Sequence, residues 1–277
     1  MYKKLFTLIA IVSIFNLKAQ VGSSSVVDGV FIRENNFNKH PVKYNFESEL
    51  YTMWSKRIWR VIDLKEKLNH PFYYPIEPTH SMRNLVTVIR DGICSGELTP
   101  YDPLSDEFDY ELASGEACAF GEKNDTLIEL DDDDNPIEIP IKEPFPTQNI
   151  RRFRIKEDWF FNSKRSVLDV RIIGICPIEE IFDEMGEYKG DRLLYWMYMP
   201  ELRHTIANAP APNPKSDVER RTYDDLLNKR KFSSYIIKDS NVYGRSISTH
   251  KQNIDALLES KRIESEIFNY EQDLWEY

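Results

Sequence analysis

Long apolar runs, basic surplus, cysteine and histidine are all scarce in this sequence, and each shortage excludes something. Beyond the first 17 residues no segment approaches the roughly 18 consecutive apolar residues of a membrane span, so the mature chain is expected to be soluble. The net charge is −10. That sign argues against nucleic acid or an anionic lipid surface as the main partner. Five histidines (His40, His70, His80, His204, His250) never fall at the i, i+4 spacing that puts two imidazoles on one helix face, and no paired thiols accompany them. No structural zinc site is expected. The chain also lacks a G-x-S-x-G elbow, a P-loop and a G-x-G-x-x-G turn. Carboxylates abound, but two acids among 46 carry no information on glycoside chemistry without geometry.

What is present begins with Met1 to Gln20, where Lys3 and Lys4 precede an apolar stretch from Leu5 to Leu17 and a small-residue junction at "LKAQVGSSS". This is the layout of a secretory signal peptide. No cysteine sits at the junction, so acylation there is not expected and any membrane attachment would go through a partner. Export places Cys94, Cys118 and Cys176 in a disulfide-permissive space, where an odd count leaves one thiol over. Cys94 and Cys118 lie in Gly-rich, loop-like sequence ("DGICSGEL", "SGEACAFGE"), whereas Cys176 ends an apolar strand face. The expected bridge is Cys94–Cys118.

Residues 21–45 have no period and read as an extended arm. From Glu47 to Asn69, Leu50, Met53, Trp54, Ile58, Val61, Ile62, Leu64 and Leu68 fit one broad helical face, closed by "NHP". Trp59 points away from that face, so it is either covered by another part of the chain or offered to a partner, and it is a candidate partner anchor. A second helix is expected over Met82 to Asp91, followed by loop at "GELTPYDPLSDEFD". "DTLIELDDDDNPIEIPIKEPFP" reads as a hairpin across a turn of Asp, Asn and Pro. Its run Asp131 to Asp134 invites a cation, but an EF-hand loop begun there has Pro136 where Gly is needed and Lys142 where the bidentate Glu belongs.

"RRFRIKEDWFFNSKRSVLDVRIIGIC" alternates Phe153, Ile155, Trp159 and Phe161 with Arg152, Arg154, Lys156 and Asp158, then presents Leu168, Val170, Ile172, Gly174 and Cys176 on one face. The expectation is a hairpin with Trp159 opposite Leu168 and Ile155 opposite Ile172. One face would be core and the other an ordered lattice of charge, with Arg152, Arg154 and Lys156 as interface candidates. "RLLYWMYMP" reads as a further, central strand, and "NAPAPNPKSD" as a Pro-rich loop. A helix over Asp217 to Phe232, a strand over Ser234 to Lys238 and a polar helix from about Gln252 to Tyr277 complete the pass. On that last helix Ile254, Leu257, Leu258, Phe268 and Trp275 cluster on one side and Ile263, Ile267, Tyr270 and Leu274 on the other. A helix apolar on two faces needs two partners. Ile263, Ile267, Tyr270 and Leu274 are taken as the subunit-facing candidates.

The segments "MWSKRIWRVIDLKEKLNHPFYYP", "KEDWFFNSKRSVLDVRIIGICPIEE", "LLYWMYMPELR" and "YDDLLNKRKFSSYIIKDSNVYGR" resemble the GldN/PorN family of gliding-motility proteins over roughly residues 28 to 250. The resemblance implies a non-enzymatic periplasmic component of the type IX secretion system, without cofactor. Its implied partners are the outer-membrane lipoprotein GldK/PorK, the inner-membrane-anchored GldM/PorM and further copies of itself in a ring. It offers no catalytic residues to carry over. The combined expectation is an α+β fold, mainly antiparallel sheet with β-hairpins and flanking helices. Its organisation would be signal peptide 1–20, arm 21–45, α+β domain 46–250 and C-terminal helix 251–277. A secreted hydrolase or glycan-binding domain with an aromatic-lined cleft is the alternative.

Overall fold

The computed structural model describes residues 39–79, 82–120, 123–130, 136–143, 145–183, 185–216 and 218–273, with the backbone alone described for 123–130 and 136–143. In chain order the elements are β1 (Thr52–Asp63), α1 (His70–Tyr73), α2 (Leu85–Cys94), β2 (Pro100–Tyr101), α3 (Ser114–Ala119), β3 (Lys123–Leu130) and β4 (Pro136–Glu143). They continue with β5 (Ile150–Asn162), β6 (Val167–Phe182), β7 (Tyr188–Leu193), β8 (Trp196–Tyr198), α4 (Met199–Ile206), β9 (Pro210–Ala211) and β10 (Arg221–Thr222). The last are α5 (Tyr223–Asn228), β11 (Tyr235–Asp239) and α6 (Asn253–Asp273).

A seven-stranded sheet in the order β11-β1-β5-β6-β8-β2, with β7 also on β6, is antiparallel at every pairing. The fold class is α+β, as read from the sequence. β3 and β4 form their own two-stranded sheet, as expected for that hairpin. Its turn, with Asp131 to Asp134, lies outside the described residues.

The helix expected over Glu47 to Asn69 is instead the long strand β1. Trp54, Ile58 and Ile62 recur every four residues, which fits a helix, but they are also alternate residues of a strand. β-branched and aromatic side chains (Thr52, Trp54, Ile58, Trp59, Val61, Ile62) favour the strand, and from Ile58 to Ile62 cores pack on both its faces. Trp54, Ile58 and Ile62 share a face with Phe153, Ile155 and Trp159 of β5, while Trp59 and Val61 lie on the opposite face.

On the first face Ile62, Phe153, Ile155, Ile172 and Ile175 pack against α2, α4 and α5 in the main core, with Phe72 and Tyr223 fully buried there. Asn84 starts α2 by accepting from the Thr87 N–H at 2.8 Å, and Thr222 with Asp225 forms a capping box on α5. α5 spans only six residues, shorter than the helix expected over Asp217 to Phe232. A second core on the same face joins Ile58 and Ile236 to Ile263 and Ile267 of α6. A third, on the other face, joins Trp59, Cys176 and Trp196.

The β5–β6 hairpin forms, but its register differs from the expected one. Trp159 pairs with Val170 and Ile155 with Ile175, because the strands turn through Ser163 to Ser166 and a bulge falls opposite Lys156 and Glu157. The bulge lets Ile172 and Ile175 both reach the main core and sends Cys176 to the other face. "RLLYWMYMP" is also divided: β7 ends at Leu193, β8 begins at Trp196, and α4 begins at Met199. Cys94 and Cys118 are bridged with Cα atoms 5.2 Å apart, and Cys176 is the free, buried thiol. Both bridged cysteines belong to helices, α2 and α3, and not to loops.

Candidate interaction surfaces

Between Ile254 and Phe268 α6 carries two apolar faces, and the structure assigns them the other way round from the sequence reading. Ile263 and Ile267 are buried against Ile58, Ile236 and Ile247. Tyr270 stacks on Trp54 with ring centroids 4.6 Å apart. The buried Arg60 reaches Glu264 at 2.8 Å, and the Ile236 N–H donates to Ser260 Oγ at 2.9 Å. These contacts fasten α6 to its own sheet, so Ile263, Ile267 and Tyr270 are occupied within the chain. Leu274 lies outside the described residues. The opposite face holds the free apolar surface: Ile254, Leu257, Leu258 and Phe268 are 71%, 57%, 60% and 57% exposed. Helical periodicity separates the two faces but cannot say which one meets the sheet.

The charges of β5 are largely spent inside the molecule. Lys156 is buried; its Nζ donates to the Asp106 carbonyl, lies 3.7 Å from the Asp106 carboxylate and sits 5.4 Å above the Phe108 ring. Burial lowers its pKa, against the pull of Asp106. Arg152 pairs with Asp191 and lies 3.6 Å from Glu180. Arg154 is half-buried between Val61 and Cys176, and its Nε has no hydrogen-bond partner. The expected free lattice of Arg152, Arg154 and Lys156 is thus corrected, because a loop over residues 102–111 covers Lys156 and carboxylates of β6 and β7 hold Arg152. Trp59 lies under the same loop, 9% exposed, with its Nε1–H donating to the Asp106 carboxylate. Of the two alternatives for Trp59, cover by its own chain is the one found, and the partner-anchor alternative is corrected. The loop comes this close because Gly174 has no side chain: a Cβ there would lie 2.5 Å from the Phe108 ring.

Beside the loop the sheet face forms a shallow groove of about 570 Å³, whose lining includes Ser55, Arg57, Trp59, Asp158, Phe160 and Arg171. Arg57 and Asp158 form a two-pronged ion pair across it, at 2.6 and 2.8 Å. The hydrogen bond to Asp158 raises the Arg57 pKa.

One buried charge escaped the sequence reading. Glu157 is fully buried on the core face of β5, where Arg230 clamps it at 2.8 and 3.2 Å and the Trp159 indole donates to it at 3.1 Å. The signal was available, since Glu157 shares parity with Ile155 and Trp159. Nothing local named Arg230, 73 residues away. A second buried pair, Arg203–Asp224 at 2.7 Å, meets the incoming N-terminal segment where Tyr44 lies 4.2 Å from the guanidinium.

Among the described residues no group of three or more His, Cys, Asp or Glu could hold a metal ion, and no helix is long and apolar enough to cross a membrane. Trp59, Trp196, Tyr195 and Tyr223, four of the aromatics that a sugar cleft would draw on, are packed into cores.

These features define an α+β protein whose distinctive chemistry lies in surfaces: a helix stripe and a groove on the sheet. The family model described as gliding motility associated protein GldN matches residues 48–276, and the chain belongs to that family, a component of the gliding-motility and type IX secretion machinery. The match takes in α6, beyond the stretch in which the sequence reading located the resemblance. No curated protein matches the chain.

Proposed function

We propose that this chain is a non-enzymatic structural subunit of a periplasmic ring of the type IX secretion and gliding machinery. In this reading the outer-membrane lipoprotein GldK/PorK holds it at the membrane, the inner-membrane-anchored GldM/PorM contacts it, and further copies complete the ring. The observation that carries the reading is the exposed stripe Ile254, Leu257, Leu258 and Phe268 in a member of the GldN family. Four large apolar side chains on one face of a helix whose other face is already buried mark a protein contact. We assign that stripe to the neighbouring copy in the ring. A secretory leader, as expected over Met1 to Gln20, would deliver such a subunit to the periplasm.

The test is purification of the tagged chain from the membrane fraction under mild detergent, with mass determination of the particle. A particle many times the size of the chain, containing a lipoprotein, is expected. Recovery as a free monomer overturns the reading. Leu257→Asp combined with Leu258→Asp should shrink the particle while leaving the subunit folded.

A further inference from the structure

β11 is shorter than the strand it pairs with. β1 runs from Thr52 to Asp63, but β11 pairs only with Ile58 to Val61, so among the described residues no strand lies beside Thr52 to Lys56. The parity of this edge follows from one bond: the Ser240 N–H donates to the Arg57 carbonyl at 2.8 Å on the β11 side. In an antiparallel ladder the N–H and C=O of one residue point to the same side, and alternate residues point to opposite sides. Trp54, Lys56 and Ile58 therefore face β5, while Ser55 and the Arg57 N–H face outward, Arg57 beside Ser240 and Ser55 with no described strand next to it. Met53, at the irregularity between Thr52 and Trp54, is 73% exposed.

Open edges are ordinarily guarded by charge. Here both cations at the edge are neutralised, Lys56 by Asp239 at 3.0 Å and Arg57 by Asp158. The groove described above begins at this edge, with Trp59, Phe160 and Ile173 among its lining. The Thr52 N–H donates to the Glu49 carbonyl and the Arg57 carbonyl accepts from Ser240, so the outward groups between them are those of Ser55 and the Arg57 N–H. Their natural complement is another extended backbone.

We propose that the Thr52–Arg57 edge of β1 binds an extended segment of another protein as an added strand, with alternate apolar side chains of that segment lying over the groove. A second copy of this chain is a poor occupant. Two-fold pairing of β1 with itself about Ser55 would set the irregular end of each strand against the Arg57 carbonyl that Ser240 already occupies.

The experiment uses the full chain in its own cells, with a photo-reactive amino acid in place of Met53. The expected result is an adduct mapping to one short segment of a different protein. Ser55→Ala, which keeps the backbone N–H, should leave its yield unchanged. Ser55→Pro, which removes an N–H facing away from β5, should lower it at least tenfold while the melting temperature holds. No adduct, an adduct only to this chain, or a yield insensitive to Ser55→Pro overturns the inference. If the proline chain does not fold, amide exchange of native Ser55 in the adduct decides: at least tenfold slowing relative to the free chain supports the inference, and unchanged exchange overturns it. The ring reading stands or falls separately, on the particle's size and on Leu257 and Leu258.

Discussion

Trp54, near the start of β1, stacks on Tyr270, near the end of α6, with ring centroids 4.6 Å apart and planes 23° from parallel. Residues more than two hundred positions apart thus close the second core, and the helix is fastened at its C-terminal end as well as through Ile263 and Ile267. Ile267→Ala should cost about 2–5 kcal/mol and free α6 for limited proteolysis. Leu257→Ser on the exposed face should leave the melting curve within about 0.5 kcal/mol of native. Equal effects from the two would mean that the helix docks through both faces of its own domain.

Arg230→Met should be among the most damaging single changes. It strands the Glu157 carboxylate in a fully buried position, and breaking one side of such a pair costs about 3–5 kcal/mol. Denaturant unfolding measures the loss. Glu157→Gln with Arg230→Met should recover part of it, because no charge is then left alone.

Reduction of Cys94–Cys118 should lower stability by about 3 kcal/mol, the loop-closure value for a sequence separation of 24 residues. Thiol titration of the native protein should find almost no reactive sulfur. Burial pushes the Cys176 thiol up to about 12, so thiolate is scarce at neutral pH. In denaturant without reductant, one thiol per chain should react.

Acid should release the N-terminal segment before it unfolds the sheet. Burial alone would raise the Asp225 pKa, but hydrogen bonds from Lys39 and Thr222 outweigh it and hold the carboxyl at about 2. A carboxyl depressed on folding contributes its full stabilisation above the unfolded value of about 3.9 and loses it as pH falls towards 2. Proteolysis at the segment around Lys39 should therefore rise between about pH 4 and pH 2, and Asp225→Asn should remove that dependence.

Gly174→Ala should lift the 102–111 loop from the sheet, since the new methyl would overlap the Phe108 ring. Overpacking of this kind costs about 1–3 kcal/mol. A change in Trp59 fluorescence on substitution reports the uncovering; an unchanged spectrum would mean that the ring moves aside without the loop.

Much of the sheet was legible in the sequence because alternation survives wherever one face is polar. The β5–β6 hairpin follows from that alternation, the β3–β4 hairpin from two apolar runs across a turn of Asp, Asn and Pro, and α6 from apolar residues at helical spacing. β1 was not legible, because from Ile58 to Ile62 it is covered on both faces and loses its alternation, and Trp54, Ile58 and Ile62 satisfy a four-residue spacing as well as a two-residue one. The hairpin register was missed for a different reason. The turn takes four residues, Ser163 to Ser166, which displaces the pairing of Trp159, and the bulge opposite Lys156 and Glu157 adds one more residue that shifts every pairing beyond it. The disulfide was readable because only three pairings exist. The coverage of Trp59 and Lys156 was not, because it depends on where a loop of irregular sequence comes to rest.

One strand enters all three cores: β1 gives Ile62 to the first, Ile58 to the second and Trp59 to the third, while pairing with β5 along its whole length. This geometry has a mechanical meaning. Ladder hydrogen bonds run perpendicular to the strands, so a tug along β1 shears them together and spreads the force over the ladder and the packed side chains. A tug across β1 would instead unzip them one after another. A machine that strains its subunits along this strand direction would meet the stiffest axis of the sheet.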